Sequence, residues 1–246
     1  MTTFTRSDDL RGAEFLVTDL SGARFVDADL TGAVLRGVDI AGVEIDSPWL
    51  AAGTLLVNGV DVVPLVDAAL DQRFPGRAER RATHPEGLRE AWAKVESTWA
   101  ATLERVAAMP EGTVDVSVAG EWSFAQTLRH LVLATDLWLN QAVLELDAPY
   151  HPLGLAGPYA ADEGLDLSAF TTDTPSYAEV LEARAGRVTM VRDHLATVTA
   201  ADLEVMRTNP WAPQRRQTTL SCLHVILAEE WEHHRYAVRD LEALTA

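Results

Sequence analysis

The stretch from Leu220 to Leu241, LSCLHVILAEEWEHHRYAVRDL, can pack in only one way as a helix. Leu220, Leu223, Leu227, Glu230, His234, Ala237 and Leu241 follow one another in alternating steps of three and four residues, the spacing of a helix face that meets a packed partner. Two positions of this seam hold a carboxylate and an imidazole instead of aliphatic side chains. A buried Glu needs a cation, a hydrogen-bond donor or a metal opposite it, because an unpaired carboxylate is costly to desolvate. Glu230 and His234, one turn apart on one face, are placed to grip one ion.

The 246 residues allow one large domain or two small ones, and 48% hydrophobic content with seven Trp supplies a core. A formal charge of −17 argues against phosphate-backbone binding and against an anionic membrane surface. Cys222 is the single cysteine, so an internal disulfide and a cysteine-based zinc site are excluded. The opening MTTFTRSDDLRG has no apolar leader core, and no run reaches the length of a membrane span. The expected setting is cytoplasmic, as a monomer or homodimer.

Residues 8–46 carry a second pattern. Leu10, Phe15, Leu20, Phe25, Leu30, Leu35, Ile40 and Ile45 recur every five residues, with Ala13, Thr18, Ala23, Ala28, Ala33, Val38 and Val43 two places before the later ones. Five matches neither the helix nor the strand period, so a repeat architecture is required. The pattern resembles the pentapeptide-repeat family, which implies a short right-handed quadrilateral β-helix of about two coils. In that fold the large and small residues point inward, while Asp19, Arg24, Asp27, Asp29 and Arg36 face solvent. Coils of this kind need about three neighbours to be stable alone, so this segment is expected to lean on the rest of the chain.

Residues 47–85 read as connecting structure: a hairpin at Asn58-Gly59, a helix from Pro64 to about Phe74, and an exposed basic linker from Arg77 to Gly87. Four helical patterns follow, over about 86–109, 123–146, 176–198 and 218–243, with Ser123 and Gln126 placed as a capping box. The fold class is therefore mainly α, an up-down four-helix bundle in residues 86–246, which can build metal sites from facing helices. The long links Asp147–Pro175 and Met206–Gln217 are read as lids or pocket walls.

His130 shares a helix face with Leu133, Ala134 and Leu137 and also looks inward. His130, Glu230 and His234 thus make a two-His, one-carboxylate set suited to Zn²⁺, Fe²⁺ or Ni²⁺ with positions left open. From the residues alone, a buried Glu–His ion pair and a solvated helix face stay open as alternatives for Glu230 and His234. The segments EWSFAQTLRHL and EEWEHHR, with the helix spacing, resemble the DinB superfamily of metal-binding four-helix bundles. Its members supply one His from the second helix and a His-x-x-x-His pair from the last. Here Glu230 replaces the first His of the pair, as in the mycothiol-dependent maleylpyruvate isomerase branch. That resemblance implies His130, Glu230 and His234 as metal ligands.

His233 points about 100° from His234 and is assigned to the helix flank. His224 is read as a satisfied boundary histidine, and Trp122, Trp138 and Trp231 as core or pocket wall. Arg129 and Arg235 flank the ligands and are read as surface salt-bridge partners, ahead of anion binders. The branch resemblance implies a divalent metal, zinc foremost, that activates a low-molecular-weight thiol such as mycothiol against an electrophilic substrate, as an S-transferase or isomerase. The alternatives are a hydrolase using metal-bound water and a non-catalytic binding protein or DNA mimic.

Overall fold

The computed structural model describes residues 3–5, 8–158, 160–171 and 173–245, so the reading of the N-terminal MTTFTRS lies partly outside the described residues. Two compact units divide between Asp46 and Ser47.

The first unit turns a corner every five residues, in two alternating styles. Backbone bonds from Ala13, Ala23, Ala33 and Val43 to Leu10, Leu20, Leu30 and Ile40 close one style, with Gly12, Gly22, Gly32 and Gly42 at positive φ. Val17, Asp27 and Gly37 supply left-handed backbone at the other. Asp9, Asp19, Asp29 and Asp39 accept bonds from the backbone N–H two residues on, so Asp19 and Asp29, expected to be merely solvent-facing, stitch the corners. No strand forms among the described residues of this unit, and the eight large residues remain 43% to 68% exposed instead of enclosed. A unit of about two coils has few stacked layers of its own to cover them.

The second unit starts with a hairpin, β1 (Leu56–Val57) and β2 (Val60–Asp61), turning at Asn58-Gly59 as expected. Helix α1 follows (Val63–Arg73). The basic stretch expected to be an exposed linker is instead a 3-10 turn, Arg77–Arg81, with Arg77 buried. Arg77 lies 2.8 Å from Asp67 and 2.6 Å from Asp71, and 3.6 Å from Glu232 on the last helix. Carboxylates four residues apart on α1 therefore draw the arginines in, and Glu232 adds a partner from the far end of the chain.

The bundle consists of α2 (Pro85–Ala107), α3 (Phe124–Thr135), α4 (Tyr177–Thr197) and α6 (Thr219–Ala243). A short α5 (Ala200–Leu203) and the hairpin β3 (Met206–Thr208) and β4 (Arg216–Thr218) join α4 to α6. Ser123 and Gln126 form both bonds of the expected capping box, at 3.3 and 2.9 Å. Helix α3 runs on as a π-helical turn, Asp136–Gln141. Around the bundle α2 and α3 each pack against both α4 and α6, which leaves α4 across from α6. Leu88, Trp92, Val95 and Trp99 of α2 meet Leu128 and Leu131 of α3, Val180 and Val191 of α4, and Leu223, Ile226 and Leu227 of α6 in one core. Each such side chain contributes about 1.5–3 kcal/mol. No helix among the described residues is long and apolar enough to cross a membrane.

Candidate metal centre

The α6 seam is buried from Leu223 to Leu241 as its spacing predicts, with Leu220 partly buried, yet its two polar members have partners other than a shared ion. Glu230 is 1% exposed and pairs with Arg184, reaching across the bundle from α4. Burial pushes its carboxyl upward while the guanidinium beside it pulls the other way. His234 sits among Phe74, Trp99 and Trp231, and its Nε2 lies 2.8 Å from the Thr102 hydroxyl of α2. Burial carries its pKa down to about 4, so the ring is neutral. His130, Glu230 and His234 are not brought together as a set.

The ligand-like cluster lies one residue earlier on α6. His130, Glu229 and His233 offer one ligand atom each, all within 4.8 Å of one another. His130 Nε2 is 3.5 Å from Glu229 Oε2, and His233 Nε2 is 3.1 Å from the same oxygen. EEWEHHR contains two overlapping Glu-x-x-x-His pairs, Glu229/His233 and Glu230/His234, and spacing cannot choose between them. The seam selects the more buried pair, whereas His130 on α3 arrives at the groove between α3 and α6, where the flank pair waits. His233 is indeed on the flank and hydrogen-bonded, as read; Glu229, which the sequence reading passed over, completes the group.

Two features orient this cluster. The His130 Nδ1 bonds the Leu155 carbonyl at 3.1 Å, while the Leu155 N–H returns a bond to the Arg129 carbonyl. The Asp147–Pro175 link thus serves as a wall that fixes the ring: Nδ1 donates to the Leu155 carbonyl and Nε2 faces Glu229. Trp122, at the approach to α3, lies against His130 at 4.6 Å and stacks on His233 at 6.0 Å. The cluster keeps contact with solvent, its side chains 13% to 20% exposed.

The donor set fits a divalent cation. Burial alone would raise the Glu229 carboxyl, but hydrogen bonds from His130 and His233 bring it down to about 2. Burial lowers the His233 pKa, although Glu229 opposes the shift. A carboxylate and two imidazole nitrogens this close need positive charge among them, as ring protons or as a metal that replaces them. Three protein ligands leave coordination positions open.

Elsewhere, His224 Nε2 bonds the Ala82 carbonyl at 2.7 Å, as a satisfied boundary histidine should. Trp138 and Trp231 are core, and Cys222 is fully buried. Arg235 pairs with Glu232 and lies over the Tyr236 ring. Arg129, expected to form a surface salt bridge, bonds the Leu153 carbonyl through Nε at 2.9 Å and has no carboxylate partner among the described residues.

The second and last long helices of this four-helix bundle thus share an open His–Glu–His cluster that could hold a metal ion. The DinB superfamily profile matches residues 94–237, more than half of the chain, and the chain belongs to that superfamily, whose members are generally metal-binding. Eight copies of the pentapeptide repeat match residues 9–42. No curated protein and no solved structure matches the chain.

Proposed function

We propose that the chain is a metal-dependent enzyme that joins a low-molecular-weight thiol to an electrophile, or isomerises the electrophile through that thiol, with His130, Glu229 and His233 as the metal ligands. The observation carrying this is the convergence of those three side chains from α3 and α6 on one side that remains open to solvent. When bound, a divalent cation, zinc foremost and nickel or iron as other candidates, lowers the pKa of a thiol presented to it. Three protein donors in place of four favour a reactive centre over a purely structural one.

The chain's own residues do the rest. The Leu155 carbonyl holds His130 in the tautomer that presents Nε2. Glu229, ionised well below neutral pH, offsets the cation's charge. Trp122 walls the approach and limits the water beside the two imidazoles. Cys222 is buried in the core with its thiol pKa raised by burial, so the sulfur must come from outside the chain.

The test is turnover of an electrophile panel by zinc-loaded full-length protein, with and without an added thiol such as mycothiol. Product that requires both thiol and metal is the expected result. Turnover that persists without thiol points to the hydrolytic alternative and overturns the thiol chemistry.

A further inference from the structure

Arg129 is left without a task by the chemistry above. With 37 Asp and Glu against 20 Lys and Arg, the chain has carboxylates to spare. The other buried and half-buried arginines, Arg184, Arg187 and Arg207 among them, each face one within 4.0 Å. Arg129 is half-buried and faces none among the described residues. Its Nε is spent on the Leu153 carbonyl, which fixes the plane of the guanidinium and leaves the two Nη groups as a fork of donors.

The same segment sets its distance from the metal centre. Arg129 bonds Leu153 and His130 bonds Leu155, carbonyls two residues apart on one stretch of chain. Two extended residues span at most about 7 Å, so the guanidinium Nε and the His130 ring lie within roughly 13 Å of each other. That is the reach of one small molecule.

We propose that Arg129 binds a carboxylate of the small molecule that reacts at the His130–Glu229–His233 centre, so that the thiol or electrophile served by this protein is a carboxylic acid. This rests on the metal-centre reading above and adds the substrate class. A planar fork matches a carboxylate in a bidentate pair and gives orientation as well as affinity.

Full-length protein loaded with Co²⁺ in place of zinc is titrated with 3-mercaptopropionate and with 6-mercaptohexanoate, each against the neutral mercapto-alcohol of equal chain length. Binding is followed by the cobalt absorption bands. At least one carboxylate is expected to bind about tenfold or more tightly than its alcohol. In Arg129→Gln that preference should fall to within about twofold, and Arg129→Lys should keep part of it through charge alone. A purely structural Arg129, anchoring the 153–155 segment, would instead weaken acid and alcohol alike. Equal affinities in the parent, silence toward both acids, or a preference surviving in Arg129→Gln each overturn the assignment. A parent showing no cobalt bands fails one step earlier, at the metal centre, and removes this inference with it.

Discussion

Arg184 on α4 and Glu230 on α6 form an ion pair across the diagonal of the bundle, where both side chains are almost wholly shielded from water. The pair occupies the seam position at which a leucine would otherwise sit. Removing one partner strands a charge in the core. Arg184→Met should therefore lower unfolding free energy by about 3–5 kcal/mol, while Arg184→Met with Glu230→Leu should recover most of the loss. Denaturant unfolding of the three proteins checks this; a single variant within about 1 kcal/mol of the parent would contradict the buried pair.

His234 makes stability depend on pH. Its pKa is pushed down to about 4 in the folded state against about 6.5 in an unfolded chain, so the unfolded state takes up the proton first. Its contribution is fully present above pH 6.5 and is lost as pH falls from there toward 4. The loss is about 3 kcal/mol across that window. Metal-free protein unfolded by denaturant at pH 7 and pH 5 should lose about 2 kcal/mol more than His234→Phe does over the same interval. Equal losses would show that His234 is not held neutral.

Cys222 should be inert in the native protein. It is fully buried, and burial raises its thiol pKa above the usual value. A chromogenic disulfide reagent is expected to react stoichiometrically only in denaturant, even at pH 9. Rapid labelling under native conditions would contradict the packing of α6.

The bundle was legible because its signals are local. Helix extents, the Ser123–Gln126 cap and the Asn58-Gly59 turn all follow from spacing and turn chemistry within a few residues. The α6 seam was read correctly as buried. What spacing could not supply was the identity of the residues opposite it. Arg184 lies 46 positions from Glu230 and Thr102 lies 132 from His234, so the partners that occupy the seam pair are remote in sequence and spacing cannot show them. Arg77 looked like linker for a different reason: Asp71 and Asp67 are near in sequence, but composition does not show that the chain turns back to bring them to it. One sequence-level signal did favour the flank pair: a seam position asks for burial, whereas a metal open to substrate asks for an edge.

Metal content decides the matter most directly. Purified parent protein and five variants, His130→Ala, Glu229→Ala, His233→Ala, Glu230→Gln and His234→Phe, are analysed for bound transition metal after identical loading and desalting. Near-stoichiometric metal is expected in the parent, in Glu230→Gln and in His234→Phe, with at least a tenfold loss in each of the other three. Full metal in Glu229→Ala and His233→Ala, with its loss from Glu230→Gln and His234→Phe, would contradict the site and return it to the buried seam.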